Sequence, residues 1–520
     1  MLIITQKAMF LGKGYEMIKN FKISFILILT LFLLLGCEKK SGGSEDIIEN
    51  DVVRINIASE PDSLDPWLSA AVDTKAIFNN VFEGLMKFES DGSLYPAIAK
   101  NVIINDNHDE YTFELRDNVY FHNGKKLSSD DVLYTYENLL NMSGDIANAA
   151  RYSGIDKIEV VDENTIKFIL ESPSSAFLST TTIAILPRGY DDQAINPIGS
   201  GPYKFVEYIP SQKVVLEKFD DYYNKEKMPS IKRAEIFIIS DEASVVSALK
   251  SNQLDIAIIS NDNAKLLEED YKIDSSPMNM VILWALNNDS EPLNNKKVRH
   301  ALNLMVNRDD IIDGVFGGYA TKLYTNFSPV MDYYYNYDLD GYYDYDAEKA
   351  KKLLKEAGYE DGFDLEITVP SNYYQHVNSA QIIASEAQKI NINVTIKSVE
   401  WGTWLEEVYT NRNYQSTIIG LAGKIDPNDI LSRYETTYKR NFINYTNDDY
   451  DRVINKAAKS VDKEKRATLY KEAQKILSET NASVWLCDPN NTVAMREDLL
   501  GYKYYPAGLI DFASMQYENK

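Results

Sequence analysis

The residues of this chain that could perform catalysis do not have the spacing of the common catalytic motifs. Its 4 histidines, His108, His122, His300 and His376, lie far apart and form no His-Glu-x-x-His zinc motif. The chain contains no Gly-x-Ser-x-Gly segment, phosphate-binding glycine loop or dinucleotide fingerprint. With 78 acidic residues, carboxylate pairs resembling those of glycosidases are expected by chance. The sequence therefore favours a binding role over catalysis and predicts neither a metal nor a cofactor.

Tryptophan side chains could supply an aromatic pocket, because indole offers a broad apolar face and one hydrogen-bond donor. Trp284, Trp401 and Trp404 are candidates for ligand contact, with packing in the core as an equal alternative. Trp485 lies in the apolar run Val484–Leu486, which favours the core.

Two tyrosines occupy a position where α/β domains often present ligand groups. The segment Leu365–Val369 reads as a strand, and Tyr373 and Tyr374 lie in the loop that follows it. We therefore predict that both contact the ligand. The tyrosine-rich stretch Tyr333–Tyr345 is interpreted as a packed surface loop rather than a binding wall.

The elements that must position these residues alternate between strands and helices. Tyr111–Leu115 and Ile166–Leu170 have the period-2 alternation of half-buried strands. Three helices are predicted, after a capping box at Ser128, after Asp346, and over Val461–Leu477. Interleaved strands and helices predict an α/β fold.

The composition sets limits on size and partners. A chain of 520 residues is long enough for two or three domains. A formal net charge of −24 disfavours binding to nucleic acid and to anionic lipid head groups. If Cys37 is modified as described next, Cys487 has no partner for an intrachain disulfide.

The amino-terminal segment has the features of an export signal. Phe25–Leu35 is an apolar run too short for a permanent membrane helix, and Lys19 and Lys22 form the basic region before it. Its ending, Leu34–Cys37, resembles the lipobox of bacterial lipoproteins, in which a lipid is attached to the cysteine. An uncleaved anchor helix is the alternative.

We therefore expect residues 1 to 36 to be removed and Cys37 to anchor the protein to the outer face of the membrane by its lipid. Met17 is an alternative start of translation. Glu38–Asp51 is small, polar and charged, and it reads as a flexible spacer between the lipid and the folded body.

Short blocks through the rest of the chain resemble the family 5 extracellular solute-binding proteins, which include the dipeptide- and oligopeptide-binding lipoproteins of ABC importers. Each block alone is weakly specific, but their order is that of the family. In chain order they are Ser59–Pro66, Phe82–Leu85, Tyr111–Gly124 with Ser129–Val132, Asn196–Tyr203, Lys297–Leu302 with Asn307 and Arg308, and Ala350–Tyr359.

The resemblance implies a periplasmic-binding-protein-like fold of type II, with three lobes and a hinge that closes on the ligand between domains I and III. It implies a monomer that delivers its solute to an ABC permease. The implied boundaries are 52–84, 200–280 and 486–520 for domain I, 85–199 for domain II and 281–485 for domain III, with hinge crossovers near residues 280 and 486.

The resemblance also locates a ligand contact. Dipeptide-binding relatives look similar around Val399–Leu405 and Ile418–Pro427, where they carry an aspartate that pairs with the peptide ammonium group. Lys424 occupies that position here, and a lysine repels an ammonium group. Three alternatives stay open: Asp426 binds the amine, Lys424 binds a carboxylate, or the ligand is not a free-amino peptide.

The sequence thus predicts a receptor for a peptide or similar polar solute. The first alternative is the same receptor role for an oligosaccharide or metal chelate, motivated by Lys424 and the tryptophans. The second is an exported hydrolase, for which the sequence contains no motif.

Overall fold

A computed structural model describes residues 49 to 518, except 70, 142–151, 153, 175 and 507. The predicted signal segment and Cys37 lie outside the described residues. The elements below all belong to the compact unit Asn50–Lys520. Within the described ranges, no helix has both the length and the apolar composition needed to span a bilayer.

The strands are numbered in chain order. They are β1 (Val52–Ile57), β2 (Met86–Phe88), β3 (Leu94–Pro96), β4 (Ala99–Ile104), β5 (Glu110–Leu115), β6 (Ile155–Asp162), β7 (Thr165–Leu170), β8 (Tyr203–Ile209), β9 (Lys213–Lys218), β10 (Arg233–Ile238), β11 (Ile256–Ile259), β12 (Lys272–Pro277), β13 (Met280–Leu286), β14 (Ala320–Lys322), β15 (Phe363–Pro370), β16 (Ile392–Val399), β17 (Ser416–Ala422), β18 (Val484–Met495), β19 (Leu499–Leu500) and β20 (Gln516–Tyr517).

The α-helices are interleaved with these strands. They are α1 (Val72–Phe78), α2 (Ser129–Asn141), α3 (Phe177–Thr180), α4 (Glu242–Lys250), α5 (Asn261–Leu267), α6 (Lys296–Met305), α7 (Arg308–Phe316), α8 (Ala347–Glu356), α9 (Tyr374–Gln388), α10 (Trp401–Trp404), α11 (Pro427–Leu431), α12 (Asp448–Lys459) and α13 (Lys463–Glu479).

Side-chain caps explain where several helices begin. The Asp346 carboxylate accepts a hydrogen bond from the Lys349 amide, as the sequence predicts for α8. The prediction for α13 was two residues early at each end. Asp462 caps that helix by accepting from the Lys465 amide, so the helix starts at residue 463.

The main sheet consists of two halves joined by one long strand. The first half-sheet has the order β11-β1-β10-β9-β8, and the second has the order β16-β15-β17-β13. Strand β18 lies between β13 and β11 and belongs to both halves. Its residues up to Pro489 pair with β13 and β14, and those from Asn490 onward pair with β12 and β11.

The chain also passes between the halves at Pro277–Met280, where β12 ends and β13 begins. The buried carboxylate of Asp488 ties this segment to β18. Its Oδ1 accepts hydrogen bonds from the amides of Met278 at 3.1 Å and Met280 at 3.0 Å. The two passages between the half-sheets are therefore hydrogen-bonded to each other.

A separate antiparallel sheet has the strand order β4-β5-β7-β6. In the sequence, its strands lie between β1 and β8 of the first half-sheet. Its strands β5 and β7 confirm the two strands predicted from alternation, and their alternate residues are buried. Helix α2 contacts this sheet through β6 and β7.

The second half-sheet is covered on both faces. Alternate residues of β13 enter two different hydrophobic clusters, with Trp284 in one and Leu283 in the other. The tyrosine-rich stretch is packed in part, as predicted: Tyr334, Tyr335 and Tyr343 are buried. The mixed α/β architecture agrees with the predicted fold class.

Candidate functional site

A cavity of about 560 Å³ lies where the two half-sheets meet, and we call it the cleft cavity. The first half-sheet contributes the residues that follow β11, Ser260–Asp262. The second contributes Tyr373–His376, Trp401 and Gly420, and the joining strand contributes Asn490. Because the walls come from both halves, a molecule bound there would touch both.

An aromatic stack supports one wall of the cleft cavity, which Trp401 and Tyr373 line. The rings of Trp401 and Trp404 are nearly parallel, with centroids 5.1 Å apart, and Tyr373 meets Trp401 edge-on at 5.5 Å. Trp404 is buried and its indole N–H donates to Thr417 Oγ1 at 2.9 Å. The buried ring thus fixes Trp401, which is 38% exposed and free to contact a solute.

Tyr373 and Tyr374 line the same cavity, as the strand-then-loop pattern predicts. Tyr374 is the more exposed of the two and starts helix α9. The structure therefore brings together three of the predicted contacts, Tyr373, Tyr374 and Trp401. Their contact with a ligand stays a prediction.

His376 is a lining residue that the sequence analysis did not include in the site. Burial lowers the pKa of its imidazole to about 4, so the ring is neutral at physiological pH. Among the described residues, Nδ1 has no hydrogen-bond partner. A buried ring nitrogen without a partner at a cavity wall can serve a ligand. His376 lies in the first turn of α9, two residues after Tyr374, and this nearness to the predicted contacts is the signal that the sequence offers.

A second cavity, of about 490 Å³, lies at the end of β17, and we call it the Lys424 cavity. It is lined by Lys424, Arg433 and Arg440, together with aromatic residues. It shares Gly420 and Ala422 with the cleft cavity. Lys424 therefore lies next to the cleft cavity rather than among the aromatic residues of its wall.

Asp426 is buried and engaged by protein groups. The Arg466 Nη2 donor lies 2.8 Å from each of the two carboxylate oxygens. Oδ1 also accepts from the Asn428 amide at 2.8 Å and so caps α11. This arrangement disfavours the predicted role of Asp426 in binding a ligand amine.

Trp284 is placed differently from the expectation of a pocket residue. It has no exposed surface and packs in the cluster beneath the second half-sheet. A side chain without exposed surface cannot line a cavity, so the core interpretation applies. Trp485 is also fully buried, as its apolar neighbours predicted.

Two charged or polar residues of the resemblance blocks have structural partners. His122 accepts from the Gly199 amide at Nδ1, and its Nε2 lies 3.0 Å from the Gly201 carbonyl oxygen. Burial lowers its pKa to about 4. Arg299 donates to the backbone carbonyls of Asn481 and Thr480 after α13. The partners of Arg299 are thus backbone carbonyl oxygens.

Metal binding by clustered side chains has no support in the part of the chain that the structure describes. No group of three or more His, Cys, Asp or Glu side chains there could hold a metal ion. Cys487 is buried in β18, and burial raises the pKa of its thiol.

Comparisons with known proteins found relatives over most of the chain. The chain is 27% identical over 466 residues to a dipeptide-binding protein of Escherichia coli, covering 81% of this chain and 86% of the relative. It is 25% identical to heme-binding protein A of Haemophilus influenzae, covering 96% and 100%.

Among solved structures, it resembles the periplasmic binding protein DppA of Helicobacter pylori in complex with the peptide STSA. The TM-score is 0.65 at 26% identity, covering 90% of this chain and 98% of that one. Residues 93–442 match the family described as bacterial extracellular solute-binding proteins, family 5 Middle. This chain is therefore a member of the family 5 bacterial extracellular solute-binding proteins.

Proposed function

We propose that this protein captures a peptide-like solute between its two half-sheets and delivers it to an ABC permease. The observation that carries the proposal is the cleft cavity, whose walls come from both half-sheets and include an exposed tryptophan on a buried aromatic stack. Relatives described as dipeptide-binding and peptide-bound support the same class of solute.

Closure of the cleft is part of the proposal. The passages at Pro277–Met280 and at Asp488–Asn490 lie beside the cleft cavity, which includes Met278 and Asn490. Rotation about these two short segments would move the second half-sheet toward the first. A ligand that touches both halves would shift the population toward the closed form, which a permease can distinguish. The domain boundaries given above belong to this proposal.

We also propose where the protein is located and that it is a monomer. Cys37 would carry the lipid, Glu38–Asp51 would serve as the tether, and the body would face outside the cytoplasm as a monomer. The protein would act as a receptor without catalytic turnover.

A non-peptide solute is the second candidate, favoured by a specific observation. The position where dipeptide-binding relatives are expected to carry an aspartate holds Lys424, at a cavity with two arginines. One relative of this chain is described as a heme-binding protein rather than a peptide-binding protein. An oligosaccharide or metal chelate would then replace the peptide.

The test is ligand identification on the full chain purified in detergent. Co-purified solutes are identified by mass spectrometry, and peptide, oligosaccharide and metal-chelate pools are compared by thermal shift. A ligand at 100 times its Kd stabilises the folded state by about 2.7 kcal/mol, which a melting curve detects. We expect a peptide pool to raise the melting temperature. A rise with the sugar or chelate pool alone would contradict the peptide proposal.

A further inference from the structure

The Lys424 cavity concentrates positive charge on a strongly acidic protein. Lys424, Arg433 and Arg440 all line it, whereas the whole chain has a formal net charge of −24. Asp429 is the acidic residue in the lining, so three cationic groups face one carboxylate. Such a local reversal of sign attracts an anionic group to this place on the surface.

Lys424, Arg433 and Arg440 differ from Arg466 and Arg496 because, within the part of the chain that the structure describes, they form no ion pair with a carboxylate. Among the described residues, no carboxylate oxygen lies within ion-pair distance, 4.0 Å, of a side-chain nitrogen of Lys424, Arg433 or Arg440. By contrast, Arg466 and Arg496 are each paired with aspartates at 2.8 Å. Arg433 donates one hydrogen bond to the Ala422 carbonyl at 3.1 Å, which fixes its guanidinium at the end of β17. The positive charge of the cavity is therefore available to a ligand.

The remaining lining suits a small organic acid group. Tyr434, Tyr438 and Phe442 provide aromatic faces and phenolic hydroxyls around the cations. A guanidinium group can hold a carboxylate with two parallel N–H···O bonds, and an ammonium adds a point charge.

The cavity also adjoins the proposed binding cleft and one of the passages between the half-sheets. Gly420 and Ala422 line both cavities. The side-chain amide of Asn279 lies 3.5 Å from the Lys424 carbonyl oxygen, and it donates to the Pro506 carbonyl at 3.0 Å. A ligand that extends from the aromatic stack past the end of β17 would place its next group beside Lys424.

We propose that the Lys424 cavity binds a side-chain carboxylate of the captured solute, so that the preferred solutes are acidic. This inference rests on the proposed function, because it assumes that the solute occupies the adjoining cleft cavity. Lys424 and Arg440 would bind the carboxylate directly, and Arg433 would hold it against the end of β17.

The test compares two synthetic tripeptide pools that differ in one property. One pool carries Asp or Glu at one position, and the other carries Asn or Gln there. Binding to the full chain in detergent is measured by calorimetry for the wild type and for the double variant Lys424→Gln/Arg440→Gln. The matched control is Lys439→Gln, an exposed neighbouring cation that does not line the cavity. Circular dichroism checks that each variant is folded.

We expect the wild type to bind the acidic pool about 10-fold more tightly than the amide pool, as for a charge-assisted contact. The double variant should lose this preference, so that it binds the two pools with about equal affinity, and the control should keep the preference. Equal binding of the two pools by the wild type, or a preference retained by the double variant, overturns the carboxylate site alone. Binding of neither pool overturns the proposed function as well.

Discussion

The buried ion pair between Asp426 and Arg466 gives the sharpest test of what the loop after β17 does. Both side chains are largely buried, and a single arginine donor serves both carboxylate oxygens at 2.8 Å. Asp426 also caps α11 through the Asn428 amide. Replacement by asparagine removes the charge and keeps an oxygen for the cap, whereas replacement by alanine removes both.

The expected magnitudes follow from these contacts. Asp426→Asn leaves Arg466 as an uncompensated buried charge, which costs about 3–5 kcal/mol of unfolding free energy. Asp426→Ala should cost about 1 kcal/mol more, because the cap is also lost. Arg466→Met should be similarly destabilising on its own. The double variant Asp426→Asn/Arg466→Met removes both charges, so its cost should be well below the sum of the single costs.

Urea unfolding followed by circular dichroism measures these free energies. The same variants are tested for solute binding under conditions where they are folded, and we expect the folded double variant to bind. The reasoning would be refuted if Asp426→Asn unfolded within about 0.5 kcal/mol of the wild type while its binding was abolished. Asp426 would then be a ligand contact rather than part of a structural ion pair.

Three further predictions concern the joining strand, a close backbone approach and the aromatic wall. Burial raises the pKa of Asp488 to about 7, so its contribution to the unfolding free energy is present at low pH and is lost as the pH rises from 4 to 8. In melting curves recorded across this pH range, the melting temperature of Asp488→Asn should therefore depend less on pH than that of the wild type. An unchanged pH dependence would count against the raised pKa of Asp488. Gly201→Ala would place a Cβ 2.4 Å from the Asn80 carbonyl oxygen, so thermal unfolding should show a loss of about 1–3 kcal/mol, and an unchanged melting temperature would disprove the close approach. Trp401→Ala should weaken solute binding about 10-fold in calorimetry. Tyr120 is equally exposed but lies outside the cleft cavity, so Tyr120→Ala should leave binding unchanged. Equal effects of the two substitutions would rule out a specific contact between Trp401 and the solute.

Local signals predicted much of the fold. The alternation in Tyr111–Leu115 and the cap at Asp346 depend on neighbours in sequence, and both are found as expected in β5 and at the start of α8. The strand ahead of Tyr373 extends over Phe363–Pro370, slightly beyond the predicted range. Such features are encoded by side-chain period and capping chemistry, which need no knowledge of tertiary structure.

The site was predicted less completely, because its decisive contacts join distant parts of the chain. The run Met280–Leu286 is apolar throughout, so nothing in it shows that Trp284 faces a core rather than a cavity. The partner of Asp426 lies 40 residues away, on a different helix. The cations of the Lys424 cavity are likewise separated in sequence, so their convergence depends on how the turns after β17 pack.

The position of β18 near the end of the chain has a consequence for the order of folding. Strand β11 ends at Ile259, yet its antiparallel partner in β18 is completed only at Met495. A chain synthesised from its amino terminus therefore carries two incomplete half-sheets, each with an unpaired strand edge, until β18 has been synthesised. A polypeptide that ends before residue 484 would lack β18, the strand that both half-sheets share. The unpaired strand edges would then be exposed to other chains.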